Sequence, residues 1–184
     1  MRSSLVDAPD ADRPAPSDRP SGDLFHEMVI ERLSDESDLD DVAALEARCF
    51  TNPWTRDMLA RELAQSDVAC VFLLRLPDRR LAGFCSCWIV ADELHVNTLV
   101  IDIPYRQRRL GVRLMQWVIE EAARRGATRA TLEVRESNEA ARRLYTSLGF
   151  GIVARRSRYY SQPEEDALIL WRENLTKPAS AGRQ

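Results

Sequence analysis

The stretch Leu94–Met115, LHVNTLVIDIPYRQRRLGVRLM, decides how the rest of the chain is arranged. It begins with a run of mostly β-branched and apolar residues, which predicts a buried strand that ends before Pro104. Arginines then surround Gly111 in the turn: Arg106, Arg108, Arg109 and Arg113. Beyond the turn, apolar residues recur at helical spacing: Leu110, Leu114, Trp117, Val118 and Ala122. The stretch therefore predicts a strand, a basic turn and a helix.

A strand that ends in a basic turn and opens a helix can form an anion-binding site. The first N–H groups of a helix have no partner within the helix, and its dipole is positive at that end. Nearby arginines would add positive charge. An ordinary solvated helix start is the alternative, because a single glycine in such a turn is weak evidence. The spacing excludes two known phosphate loops, G-x-x-x-x-G-K-[ST] and G-x-G-x-x-G.

Length and charge limit the class of protein. At 184 residues the chain suits one domain with a sizeable core. Its formal net charge of -3 argues against general nucleic-acid binding, although the arginines are concentrated locally. No segment resembles a signal peptide or a membrane span. We therefore expect a cytoplasmic protein, a monomer, with no membrane or direct nucleic-acid partner.

The cysteines and histidines do not predict a metal site. No cysteine has a partner at C-x-x-C spacing among Cys49, Cys70, Cys85 and Cys87. Cys85 and Cys87 alternate within an apolar run, so both should lie on one face of a strand. We expect buried thiols in a reducing compartment rather than metal or redox chemistry. The two histidines, His26 and His95, are too isolated to suggest metal ligands.

The ends of the chain differ in composition from its middle. Residues 1–23 are rich in Asp, Pro, Ser and Arg and nearly lack large apolar residues, which predicts a disordered N-terminal tail. Residues 175–184 predict a second flexible tail. The expected domain is residues 24–174.

Within this domain the elements are predicted in the order β-α-α-β-β-β-α-β-α-β-β. Ser37 and Asp40 predict a capping pair for the first helix, and Ser137 or Asn138 is expected to cap the last one. A loop over Arg158–Pro163 is expected between the last two strands. Strand–helix–strand crossovers imply parallel pairing beside antiparallel hairpins, so the fold class is α/β with a mixed sheet.

Two segments resemble the signatures of the Gcn5-related N-acetyltransferases. The turn RQRRLG at residues 106–111 is similar to their Q/R-x-x-G-x-G/A pyrophosphate loop, with arginine in place of the first glycine. The segment NEAARRLYTSLGF at residues 138–150 resembles their second signature, through Asn138, Tyr145 and the Gly-Phe pair. The resemblance spans roughly residues 28–172.

Three shorter segments resemble one group within that superfamily, the ribosomal-protein alanine N-acetyltransferases (the RimI type). They are Asn52-Pro53-Trp54, LEVR at residues 132–135 and RYY at residues 158–160. The resemblance implies a single GNAT-like domain with a mixed, mostly antiparallel sheet of about seven strands and about four helices. In that fold the splayed central strands bind acetyl-CoA.

By this resemblance acetyl-CoA is the co-substrate and no metal takes part. Main-chain amides of the basic turn would bind the pyrophosphate, and the cations would meet the remaining phosphate. The edge of the central strand would bind the pantetheine arm as an added strand. Asn138 would hold the same arm while it caps its helix. The implied residues are Leu99, Val100, Ile101, Arg106, Gln107, Arg108, Arg109, Leu110, Gly111, Val112 and Asn138.

Arg109 departs from the family pattern. If the usual glycine serves a positive φ, arginine in its place costs on the order of 1 kcal/mol or more. If the position has ordinary helical dihedrals, the substitution is harmless. Gly111 remains for the closest approach of a ligand.

Two side chains match the family's proton-transfer residues. Resemblance makes Glu133 the general base, directly or through water, and Tyr145 the general acid that protonates the CoA sulfur. Each has a structural alternative, because Glu133 could simply pair with Arg135 or Arg129 and Tyr145 could be a packed aromatic residue. The same resemblance places Asn52, Pro53, Trp54, Tyr159 and Tyr160 at the substrate, with plain packing as the alternative.

The predicted function is transfer of an acetyl group to a protein N-terminal α-amino group, that of the N-terminal alanine of ribosomal protein S18. An α-amine with a pKa of about 8 is neutral in roughly a tenth of molecules at pH 7, and a lysine far less often. Acetylation of lysine or of a small amine is the alternative. A non-catalytic acyl-CoA-binding regulator is a third possibility, against which the intact Glu133 and Tyr145 argue.

Overall fold

The computed structural model describes residues 27–50, 52–64 and 67–176. The expected N-terminal tail lies outside these ranges, as do residues 177–184 of the expected C-terminal tail. Leu175 is buried, and its N–H donates to the Thr128 carbonyl oxygen at 3.0 Å. The packed chain therefore extends past the expected domain end at residue 174.

The described residues form one seven-stranded sheet in the order β1-β2-β3-β4-β5-β7-β6. Its strands are β1 (Val29–Arg32), β2 (Ala69–Arg75), β3 (Leu81–Val90), β4 (Glu93–Ile101), β5 (Arg129–Arg135), β6 (Gly151–Ser161) and β7 (Glu164–Glu173). Only β4 and β5 pair in parallel, and every other neighbouring pair is antiparallel. The predicted mixed α/β sheet is confirmed.

In the part of the chain that the structure describes, four α-helices cover the two faces of the sheet: α1 (Asp38–Cys49), α2 (Arg56–Ala64), α3 (Leu110–Arg124) and α4 (Glu139–Ser147). Helices α1 and α2 pack on one face, where Leu45 and Leu59 meet Phe84 and Val100. Helices α3 and α4 pack on the other, in a larger core that also holds Cys85 and Cys87. These two thiols share a face, as predicted, and all four cysteines are buried and unbridged.

The sheet separates between β4 and β5. The two strands pair only from Glu93–Arg129 to Val96–Leu132. Beyond that rung, β4 from Thr98 to Ile101 pairs with β3 alone, and β5 continues along β7. The splayed central strands are thus present, with free edges that face each other across a gap.

Two local predictions are wrong. The Ser37 side chain makes no capping hydrogen bond, because its backbone is already right-handed helical and its N–H is taken by Asp35 Oδ1 at 2.9 Å. The loop expected over Arg158–Pro163 is mostly strand, since β6 continues to Ser161 and turns only at Gln162–Pro163. A register shift between Arg156 and Tyr160, with Arg158 at φ 53°, breaks the alternation from which strands are recognised.

Candidate active site

The basic turn has a backbone shaped for an anion. Gln107 and Arg109 are left-handed, at φ 59° and 61°, and Arg108 between them is not. Such alternation turns successive N–H groups toward one point. Helix α3 begins at Leu110, so the N–H groups of Leu110, Gly111 and Val112 have no carbonyl group one turn earlier to bond. The sequence left open whether residue 109 has a positive φ or ordinary helical dihedrals. Its φ is positive.

Gly111 serves packing rather than a turn. It is buried within the first turn of α3 and does not have a positive φ. A Cβ at this position would lie 2.9 Å from Leu144 Cδ1 in α4 and 3.7 Å from Ile101 Cγ1 in β4. The glycine therefore lets α3 approach α4 and the end of β4.

The arginines of the turn have different surroundings. Arg106 Nε donates to the Ile101 carbonyl oxygen at 3.0 Å, which fastens the turn to the end of β4. Arg113 Nη2 donates to the Met28 carbonyl oxygen at 3.2 Å. Arg109 is exposed and Arg108 is half-buried. Main-chain oxygens thus hold Arg106 and Arg113, while Arg109 points its side chain into solvent.

The end of β4 presents its backbone at the gap. Leu99 and Ile101 are buried in the core under α3, and Val100 is buried in the core under α1 and α2. Their side chains are therefore used by packing, and the peptide groups on the β5 side remain for an extended ligand. Asn97 is the extra residue of a bulge, since Ser86 pairs with Thr98 and Cys87 with Val96.

Helix α4 brings Asn138 and Tyr145 to the same side of the sheet as α3. Asn138 caps the helix, because its Oδ1 accepts the Ala141 N–H at 3.1 Å. Tyr145 is fully buried, with its ring edge-on to Phe150 at 5.7 Å between centroids. The Tyr145 side chain therefore places a phenolic O–H group of α4 in this core.

Glu133 lies on the opposite face of the sheet. Its neighbours Leu132 and Val134 are buried in the core under α3 and α4, so alternation points Glu133 toward the side of α1 and α2. It occupies the position on β5 just after the last rung shared with β4. Glu133 and Tyr145 therefore lie on opposite faces of the sheet.

Each arginine considered from the sequence as a partner of Glu133 pairs with another carboxylate. Arg135 binds Glu165 at 3.2 Å, and Arg129 binds Glu93 at 2.7 Å. Glu133 pairs with Arg156 from β6, with 2.5 Å between Nη1 and Oε1, and it also accepts a hydrogen bond from Tyr159. The register explains the pairing: Glu133 faces Ile169 on β7, and two residues along that face of β7 Ala167 faces Arg156 on β6.

The two tyrosines at residues 159 and 160 have different roles in the packing. Burial, followed by the neighbouring Glu133 carboxylate, raises the pKa of Tyr159 to about 12. The phenol of Tyr159 is thus a neutral group beside Glu133. Tyr160 is buried, and the Arg135 guanidinium lies 4.1 Å from its ring centroid. Tyr159 lies beside Glu133, and Tyr160 packs edge-on against Tyr159.

The Asn52-Pro53-Trp54 turn joins α1 to α2 on the face that carries Glu133. Asn52 is exposed, and Pro53 and Trp54 are half-buried. The Trp54 N–H donates to Oε2 of Glu46 at 3.2 Å, and Glu46 is itself buried in α1. A buried carboxylate that caps a turn fixes the position of the turn relative to the helix.

Comparison with known proteins agrees with this geometry. The chain matches the acetyltransferase (GNAT) family over residues 39–150. It belongs to that family. A relative from Bacillus subtilis is 38% identical over 134 residues, which cover 73% of this chain and 88% of the relative. The [ribosomal protein bS18]-alanine N-acetyltransferase of Salmonella typhimurium is 33% identical over 136 residues, 73% of this chain and 90% of that protein.

A solved structure shows the same fold. The crystal structure of the ribosomal-protein-S18-alanine N-acetyltransferase from Escherichia coli superposes with a TM-score of 0.72 at 31% identity. It covers 85% of this chain and 97% of that one. This GNAT protein is thus an N-acetyltransferase, and acetyl-CoA is its acetyl donor.

The residues present fit acetyl-CoA. The left-handed pair Gln107 and Arg109 shapes an anion cradle, and the gap beside β4 offers peptide groups to the pantetheine arm. Within the described ranges no group of three or more His, Cys, Asp and Glu side chains could bind a metal ion. None of the helices in that part of the chain combines the length and apolar composition of a membrane span.

Three residues of this region were not singled out from the sequence: Glu46, Asn97 and Arg156. Asn97 is a polar residue inside an apolar strand, and its buried Nδ2 has no hydrogen-bond partner among the described residues. A polar residue in such a run is a signal that sequence reasoning could have used. Arg156 and Glu46 gave none, because their partners Glu133 and Trp54 are set by tertiary packing.

Proposed function

We propose that this protein acetylates the N-terminal α-amino group of a protein, and that its substrate is the N-terminal alanine of ribosomal protein S18. The observation that carries the proposal is the position of Glu133 beside the gap between β4 and β5, with Arg156 and Tyr159 around it. The names of the relatives from Salmonella typhimurium and Escherichia coli support this choice of substrate.

The substrate nitrogen attacks the thioester carbonyl directly. A carbon–nitrogen bond forms and the carbon–sulfur bond breaks, which leaves CoA as a thiolate. Glu133 accepts the proton that the amine loses, directly or through a water molecule. Tyr145 donates its phenolic proton to the departing sulfur. The two roles suit the opposite faces of the sheet on which these side chains lie.

A carboxylate base is sufficient for an α-amine. Roughly a tenth of α-amines are neutral at pH 7, whereas a lysine with a pKa near 10.4 is neutral in less than about one molecule in a thousand. Glu133 then needs only to accept the proton that the amine loses as the carbon–nitrogen bond forms. The exposed Asn52 and the half-buried Trp54 and Tyr159 offer contacts to the first residues of a peptide.

We also infer that the protein acts in the cytoplasm as a monomer and makes no direct contact with nucleic acid. The formal net charge of -3 supports the last point. The four unbridged, buried cysteines support a reducing compartment.

The test is acetylation of matched peptides. The protein is incubated with acetyl-CoA and a hexapeptide copied from the mature N terminus of S18, and mass spectrometry locates the acetyl group. A second peptide carries the same sequence with a blocked N terminus and one lysine. We expect modification of the α-amine only. Modification of lysine alone would identify a lysine acetyltransferase, and binding of acetyl-CoA without turnover of any amine would identify a regulator.

A further inference from the structure

Arg156 is the side chain in closest charged contact with the proposed base. Its Nη1 lies 2.5 Å from Glu133 Oε1, and its Cζ lies 5.5 Å from the centroid of the Tyr159 ring. The arginine side chain is 52% exposed and the glutamate side chain only 10%. The Arg156 side chain thus extends from the edge strand β6 to the nearly buried Glu133 carboxylate. The Tyr159 ring restricts the position of the guanidinium.

We propose that Arg156 positions Glu133 and restricts the site to amines that are neutral when bound, which favours α-amino groups over lysine side chains. This rests on the proposed role of Glu133 as the base. Arg156 contacts Oε1 and Oε2 is buried, so the guanidinium and the incoming amine share one nearly buried carboxylate. An ammonium bound to this carboxylate would lie within a few ångströms of the guanidinium, and like charges repel. The pKa of the bound amine is therefore lowered.

The size of the effect suits the selection of α-amines. Near a protein surface, a unit charge about 4 Å away changes a pKa by roughly one to three units, and solvent at the half-exposed Arg156 places the effect at the lower end. A shift of about one unit makes an α-amine neutral in about half of molecules at pH 7. It leaves lysine overwhelmingly charged and excluded.

The charged side chains that share this face on β4 and β5 have partners of their own, as does Glu46 of α1. They are Arg135 with Glu165, Arg129 and His95 with Glu93, and Glu46 with the Trp54 N–H. Tyr159 stays neutral, since burial and then Glu133 raise its pKa to about 12. Arg156 is thus the charged group that sets the field at Glu133.

The test compares Arg156→Gln with Arg155→Gln. Arg155 is the adjacent arginine, equally exposed at 56%, and it pairs with Glu136 and Asp166 rather than with Glu133. The pH dependence of kcat reports groups in the substrate complex, and that of kcat/KM reports the free reactants. For Arg156→Gln, the acidic limb of the pH profile of kcat should move to higher pH by about one unit or more. The acidic limb of the kcat/KM profile should not move. Arg155→Gln should move neither.

A second readout does not depend on turnover. A peptide with a blocked N terminus and a lysine should be a weak competitive inhibitor of the wild-type protein at pH 7. It should bind Arg156→Gln about tenfold or more tightly, because its ammonium can then pair with Glu133. Adding Glu133→Gln to Arg156→Gln should abolish this gain, and Arg156→Lys should keep the wild-type behaviour. If Arg156→Gln does not fold, Arg156→Met takes its place.

The outcomes separate this proposal from the proposed function. An unmoved kcat limb together with an unchanged lysine-peptide affinity in Arg156→Gln would overturn it, as would equal shifts in Arg155→Gln. If the wild-type protein acetylates only lysine, the substrate proposal fails. The acidic limb of the pH profile of kcat, measured with the lysine peptide, would then still show whether Arg156 acts on the bound amine through Glu133.

Discussion

Gly111 in α3 faces Leu144 in α4, and a Cβ at residue 111 would lie 2.9 Å from Leu144 Cδ1. The helix that opens at the anion turn and the helix that carries Tyr145 thus meet at a residue without a side chain. The same residue contributes an N–H group to the turn. Packing and ligand binding are therefore coupled at one position.

Gly111→Asp should abolish acetyl-CoA binding. Its side chain would displace Leu144, and its carboxylate would repel phosphate at the positive end of the helix. Gly111→Ala is the matched control, because it adds only a Cβ against the flexible end of Leu144. We expect Gly111→Ala to bind within about tenfold of wild type, or within about 1.4 kcal/mol. Calorimetry with acetyl-CoA measures both variants. Unchanged affinity in Gly111→Asp would remove the turn from the binding site.

Arg109→Gly should leave the protein as stable or up to about 1 kcal/mol more stable. Arg109 has a φ of 61°, which glycine adopts without steric cost, and the greater freedom of glycine in the unfolded chain offsets part of the gain. Arg109→Ala removes the same side chain and keeps the strain. Urea unfolding should therefore rank the glycine variant above the alanine variant. If both variants lose acetyl-CoA affinity by more than tenfold, the Arg109 guanidinium itself binds phosphate.

Tyr145→Phe should lower kcat by about 10²-fold or more and change acetyl-CoA affinity only a few-fold. The ring keeps its contact with Phe150, and only the proposed proton donor is lost. Single-turnover kinetics and calorimetry measure the two quantities. Tyr105→Phe is a control, because Tyr105 is also buried but follows β4 outside α4. A Tyr145→Phe protein with wild-type kcat would leave the residue a packing role alone.

Glu133→Gln should have a defect that shrinks as the pH rises. Above the pKa of the amine, about 8, the substrate is already neutral and needs less help from a base. The defect of Tyr145→Phe should not shrink in this way. Rates for both variants are compared from pH 6 to pH 10. An equal loss for Glu133→Gln at every pH would assign Glu133 to substrate positioning instead.

Tyr159 should titrate late in an alkaline scan. Its pKa is raised to about 12 by burial and then by Glu133, so the phenol stays neutral above pH 10, where an unperturbed tyrosine ionises. Because the folded pKa exceeds the unfolded value near 10, the stability linked to this group is present below pH 10. It is lost as the pH rises from about 10 to about 12. Absorbance at about 295 nm should show a late step that Tyr159→Phe removes and Glu133→Gln moves to lower pH.

Local sequence predicted most of the elements and the family. Helix boundaries are marked by contacts only a few residues apart. The signals are the apolar periodicity, the caps at Thr55 and Asn138, and the glycines at residues 126 and 149. The strand, basic turn and helix at Leu94–Met115 were predicted for the same reason. Each of these features depends on backbone preferences and neighbours within one turn.

Tertiary structure decided what the local pattern could not. Arg156 meets Glu133, Gly111 meets Leu144, and Trp54 meets Glu46 only because strands and helices distant in sequence adopt one register. A shift of one residue in β6 would turn Arg156 to the other face of the sheet. The identity of a charged residue therefore says that it needs a partner or solvent, and the packing of the whole sheet selects which partner it has.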